Sequence, residues 1–106
     1  MRAAQALSEA QADRAWSHAL AGATPDPALQ AENSQAAIWV TEACLRVAQA
    51  CFTLGGGTAV LDTSPLQRRL RDLEAAAQHA VVHRRHYAPA GKAVLASPRY
   101  GAVQAA

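Results

Sequence analysis

Apolar positions along this chain recur with the period of a helix, and nowhere alternate as a strand requires. From residue 3 to 21 a run of Ala, Gln, Glu and Leu is free of Pro and Gly, with Ala12, Trp16, Ala19 and Leu20 on one side. That predicts a first helix with this side turned inward. No capping residue opens it, as in a helix cut from a longer one. Gly22 to Pro27 breaks the pattern, and Asp26-Pro27 places an N-cap acceptor before a proline at the first helical position. The second helix runs from there to about Leu54, roughly 42 Å at 1.5 Å per residue. Its apolar side holds Ile38, Val40, Cys44, Val47, Cys51 and Phe52. Its polar stripe is Glu32, Gln35, Glu42, Arg46 and Gln49.

Gly55-Gly56-Gly57 ends the second helix, since glycine accepts the left-handed conformation that satisfies the last carbonyls. The third starts at Ser64-Pro65, where Gln67 is placed to reach back to the N-cap amide in a capping box. Leu66, Leu70, Leu73, Ala77, Ala80 and Val81 form its buried side, and the opposite side is charged. Pro89 and Gly91 interrupt the pattern, which leaves a short fourth helical piece around 85–95 and a loose tail over 97–106. The expected fold is all-α: an antiparallel up-down helical bundle of three long helices plus a short C-terminal one, forming a single domain over 1–106.

Composition qualifies this picture. Apolar residues are 51% of the chain, but most are alanine, and aromatics number only five: two Trp, two Tyr and one Phe. Alanine favours helix and buries little area, so the core is thin and partner surfaces complete the burial. Self-association is expected. Cys44 and Cys51 lie two turns apart on one helix, too far to bridge, and read as small core residues without an activating base. The formal net charge of +2 is too small to argue for nucleic acid. The N-terminus has no signal-peptide h-region and no apolar run approaches a membrane span, so neither nucleic acid nor membrane is expected as a partner, and a cytoplasmic location is.

Candidate chemistry gathers on the third helix. Arg68, Asp72, His79, His83 and His86 share one face if the helix continues that far. The plain reading is a solvated face with an Arg68–Asp72 pair. His79 and His83 could ligate one metal ion, but no further ligand pattern supports it. Arg68, Arg69, Arg71, Arg84 and Arg85 are spread around the helix with no aromatic platform for nucleic acid. The glycine run follows a helix rather than a strand, and on its own is a C-cap more than a phosphate cradle. His18 reads as a surface residue.

Leu54-Gly55-Gly56-Gly57, Thr63-Ser64-Pro65-Leu66-Gln67-Arg68, Arg71-Asp72-Leu73, Gln78-His79 and Ala90-Gly91-Lys92-Ala93-Val94-Leu95 stand in an order and spacing that resembles the C-terminal helical domain of the acyl-CoA dehydrogenase superfamily. The likeness is strongest to the branch of flavin-dependent two-component monooxygenases. It covers residues 28 to 95, and 3 to 21 only in helical character. It implies a bundle packed in a homotetramer, with flavin (FMN or FAD) bound between this domain, a central β domain and a neighbouring subunit, and with a flavin reductase as a further partner. It places Gly55, Gly56 and Gly57 near the phosphate or adenosine part of a partner subunit's flavin, adds Arg68 to the cofactor-binding set, and puts His79 near the reactive ring as the catalytic candidate.

Two departures sharpen that expectation. Many acyl-CoA dehydrogenases carry a catalytic glutamate just before the equivalent of Gln67-Arg68, and alignment on Thr63-Ser64 puts Leu61 there. Leucine has no titratable group, so dehydrogenation is disfavoured, although Asp62 is adjacent. Glu74 stands where the monooxygenase branch often has another histidine, and that departure weakens the hydroxylase carry-over. The expected function is therefore the C-terminal bundle domain of a flavin-dependent oxidoreductase, monooxygenase-like, present as part of a larger protein and inactive in isolation. The alternative is a non-catalytic helical module for self-association or docking.

Overall fold

The computed structural model describes residues 1–24 and 26–98. The expectation of a loose tail concerns 99–106 most of all, and that stretch lies outside the described residues. The described residues include four α-helices: α1 (Arg2–Leu20), α2 (Pro27–Leu54), α3 (Pro65–Ala77) and α4 (Tyr87–Leu95). Short 3-10 turns occupy Gly56–Val60, Ala80–Val82 and Arg84–His86. There is no strand among the described residues.

The boundaries follow from local chemistry. Asp26 accepts the Ala28 amide at 2.9 Å with Pro27 at the first helical position. Ser64 accepts the Leu66 amide at 3.3 Å ahead of Pro65. The reciprocal half of the expected capping box is absent, because the Gln67 amide nitrogen donates to the Asp62 carboxylate at 3.2 Å instead. That partner lies outside the helix, and its charge makes it a stronger acceptor.

α2 is the hub, with α1, α3 and α4 all packed on it. α1 runs antiparallel to it: Arg14 pairs with Glu32, and Leu7 and Gln11 share a cleft with Gln35 and Trp39. α3 also runs antiparallel, fixed where Gln49 donates to Glu74 at 3.1 Å. The chain then continues along α2, so that Arg84 meets Glu42 at 3.0 Å and α4 reaches the cleft lined by Pro27 and Ala31. The predicted polar stripe of α2 is therefore partly an interhelical seam, not wholly a solvated face.

Among the described residues the buried apolar ones are Ala4, Ala36, Ile38, Ala59 and Ala90, and Ile38 is the one large side chain fully enclosed. The predicted inner face of α1 is outermost: Trp16 is 66% and Leu20 71% exposed. Ala4, Leu7, Gln11, Ala15 and His18 are the more covered positions. In an alanine-rich helix several faces are apolar enough to pack, and small side chains permit the closest approach to α2. Val81, expected inside, is 59% exposed because α3 stops before it.

The molecule spans 57 × 35 × 24 Å with a radius of gyration of 18.0 Å, against about 13 Å for a self-contained domain of this length. The bundle is open. α2 is also long and apolar enough to cross a bilayer by length and composition, which qualifies the sequence expectation of no span. Its Glu32 and Glu42 form ion pairs with Arg14 and Arg84, however. Lipid would expose such charges at roughly 3 kcal/mol each. Packing on the three helices covers little of its apolar surface, since only 6% of its apolar stretch is buried within the chain.

Candidate functional site

The three glycines after α2 serve different physical ends. A Cβ on Gly55 would stand 2.8 Å from Leu66 Cδ1 and 3.0 Å from the Ala59 Cβ, so Gly55 lets the end of α2 close on the first turn of α3. Gly56 has φ +61° and reverses the chain as the C-cap reading anticipated. Gly57 lies outside the positive-φ region, and a Cβ there would meet nothing within 4 Å. The fold accounts for the first two, and nothing among the described residues requires a glycine at the third. We expect Gly55→Ala to cost about 1–3 kcal/mol through overpacking, and Gly57→Ala to change stability by less than about 0.5 kcal/mol. Denaturant melts of the two variants decide it; equal losses would show that the turn is uniformly constrained.

Past this turn, α3 presents Arg68, Arg69, Arg71 and Asp72 to solvent and turns Leu66, Leu70, Leu73 and Ala77 toward α2. The expected Arg68–Asp72 pair does not form: the ion pairs among the described residues are Arg14–Glu32 and Arg84–Glu42. Two exposed, hydrated side chains gain little by pairing. Arg68 is left open.

His79 lies just past the end of α3, not on it, which breaks the expected stripe. Gln78 is the C-cap, and the His79 backbone is extended at φ −64°, ψ 135°. Its Nδ1 accepts the Val81 amide at 3.2 Å, so the ring caps a 3-10 turn. His83 does the same for the next, accepting the Arg85 amide at 3.1 Å. One nitrogen of each ring, Nδ1, is thus engaged structurally, and no group of three or more metal-ligating side chains exists among the described residues.

The candidates therefore lie at two ends of one element. Gly55–Gly57 stand before α3, Arg68 in its first turn and His79 just past its end, and α3 itself is about 20 Å long by the rise of 13 residues. Between them runs the exposed arginine-bearing face. Leu61 is 54% exposed, and the adjacent Asp62 is held by Gln67. Glu74 faces α2 through Gln49 rather than His79. Clefts of about 460 and 320 Å³ lie along α1 and α2, and neither is lined by a residue of α3.

A family model described as the acyl-CoA dehydrogenase C-terminal domain matches residues 1–84. The chain belongs to that family. Neither the curated proteins nor the solved structures give a match. The acyl-CoA dehydrogenase C-terminal domain match takes in α1, which the sequence resemblance reached only in helical character, and runs through the glycine turn, α3 and His79. It stops before α4.

One cluster in this acyl-CoA dehydrogenase domain had no sequence signal, because its members lie some forty positions apart. Tyr87 opens α4 near Glu42, Arg46 and the Arg84 that pairs with Glu42. Burial raises the phenol above its ordinary 10.0, Glu42 adds to the rise, and Arg84 and Arg46 oppose it. A raised folded value means that the unfolded chain ionises first. The contribution is fully present below pH 10 and lost as pH rises through the folded value. Thermal melts should show stability declining in that window, and less steeply in Tyr87→Phe; an identical slope would assign the decline elsewhere.

Proposed function

We propose that this chain is the C-terminal bundle domain of a flavin-dependent oxidoreductase of monooxygenase type, lending the outer face of α3 to a cofactor held mainly by other domains or a neighbouring subunit. The observation that carries the reading is a set of three exposed groups, one before α3, one on it and one past its end. The backbone at Gly57 is open, with nothing among the described residues within 4 Å of where a Cβ would stand, Arg68 is exposed with no ion pair among the described residues, and His79 keeps Nε2 free of the cap its Nδ1 makes. Backbone amides and a guanidinium suit phosphate oxygens.

Flavin would supply the redox chemistry when bound. This chain would supply anion recognition at Gly55–Gly57 and Arg68, and a ring N–H at His79. Leu61 provides no base at the position where a dehydrogenase carries one, which favours hydroxylation over dehydrogenation. Packing in a homotetramer and reduction by a separate flavin reductase complete the proposal, with a cytoplasmic location. The test joins the chain to the N-terminal helical and β domains of this architecture, supplies reduced flavin, and measures oxygen-dependent hydroxylation with and without His79→Asn. Unchanged turnover would remove His79 from the site.

A second reading, a non-catalytic self-association or docking module, draws support from Trp16, Leu20 and Leu54, which are 66%, 71% and 86% exposed. Trp16 and Leu20 sit one turn apart on the outer side of α1, and an apolar patch there suits a partner, whereas Leu54 lies at the far end of α2. Light scattering with a flavin titration separates the readings: a stable oligomer of the isolated chain without flavin affinity supports the module, while flavin bound only after the other domains are joined supports the oxidoreductase.

A further inference from the structure

Residues 79–86 hold their shape with little help from burial. His79, Ala80, Val81, His83, Arg84 and Arg85 are all exposed. The caps that His79 and His83 make each reach only two residues forward. One side-chain bond joins the two 3-10 turns: the His86 Nε2–H donates to the Ala80 carbonyl at 2.7 Å. The backbone bond to that same carbonyl, from the His83 amide, is long at 3.4 Å. His86 is half-buried and lines a cleft with Ala31 and Ser34 of α2 and Pro89 and Ala90 of α4. It therefore links the exposed turns to the bundle.

We propose that His86 is the positioning residue for His79. The Ala80 carbonyl belongs to the residue directly after His79, and the peptide it begins carries the Val81 amide that occupies His79 Nδ1. Fixing that peptide plane from the bundle side fixes the direction of the His79 ring. Because Nδ1 accepts a hydrogen bond, it carries no proton, and the neutral ring bears its proton on Nε2. His79 accordingly presents a hydrogen-bond donor, and the atom it serves is an acceptor: a carbonyl, hydroxyl or ring-nitrogen lone pair. Only the identity of that acceptor as part of a flavin or its substrate rests on the proposed function.

The test compares the chain with His86→Leu, which has no donor, and His86→Gln, which keeps one. Amide hydrogen exchange at Val81 and the ring nitrogen signals of labelled His79 are read, with helicity checked in each variant. In the unaltered chain, one ordered His79 ring with its proton on Nε2 is expected. His86→Leu should speed Val81 exchange by roughly 3- to 10-fold and average the His79 signals, and His86→Gln should restore both. Unchanged Val81 exchange and His79 signals in His86→Leu would overturn the proposal. If His86→Leu fails to fold, His86→Asn, too short to reach the carbonyl, is held to the same expectation. Turnover in the completed enzyme separates the two claims. Loss of His79 order with turnover intact would leave the positioning standing and defeat the assignment of His79 to the cofactor.

Discussion

Ile38→Ala should destabilise the chain by about 2–5 kcal/mol, the largest loss expected from any single truncation here. Ile38 is fully buried at the middle of α2, and its companions in the core are alanines. Alanines have no spare side chain to swing into the space vacated, so the cavity persists and its lining loses contacts on one side. Against a total stability of about 5–15 kcal/mol for an ordinary domain, such a loss could unfold a large fraction of molecules. Trp16→Ala removes a larger side chain but one that is 66% exposed, and should cost the isolated chain less than about 1 kcal/mol. Urea titrations of both variants measure the contrast. A small loss at Ile38 would mean that the isolated chain does not hold α2 against its neighbours and that partner surfaces fix the bundle.

His79→Asn in the completed enzyme carries the largest expected effect on activity, a fall of about 10²–10⁴-fold in turnover if the ring hydrogen-bonds the reacting groups. The choice of asparagine follows from the geometry. His79→Ala would remove two things at once, the ring and the cap on Val81, and loss of a cap costs about 0.5–2 kcal/mol. A drop in activity could then mean only that the turn had come apart. Asparagine is a strong capping residue and keeps an acceptor for the Val81 amide while deleting the imidazole. Retained turnover in His79→Asn together with a loss in His79→Ala would identify His79 as structural alone. Loss in both, with the melting temperature of His79→Asn close to that of the unaltered protein, would place the ring in the chemistry.

The candidate site was legible in part because most of its markers act locally. The glycine turn and Arg68 could be located from the order of residues alone, and the separate tasks of Gly55 and Gly57 could not. Gly55 is crowded by the side chains of Ala59 and of Leu66, eleven positions on, which only folding brings within reach. His79 was legible as a residue and misread as a place. Val81 and Val82 are poor helix formers, but nothing in the run from Gln78 to Val82 breaks a helix as Pro or Gly does. α3 ends where the ring of His79 takes up the Val81 amide, and the turns beyond it are tied to the bundle by His86 and by Arg84 on Glu42.

The sequence by itself determined the all-α class, three long helices, the starts at Asp26-Pro27 and Ser64-Pro65 and the stop at Gly55–Gly57, because each depends on a cap, a proline or a glycine acting on backbone within a few residues. Only the tertiary structure decided which face of α1 packs, where Gln67 and Glu74 direct their side chains, and that α3 gives way to histidine-capped turns. Those outcomes depend on contacts between positions far apart in the chain, and alanine-rich helices present several faces of nearly equal apolarity. Sequence periodicity cannot choose among such faces; close packing against α2 does.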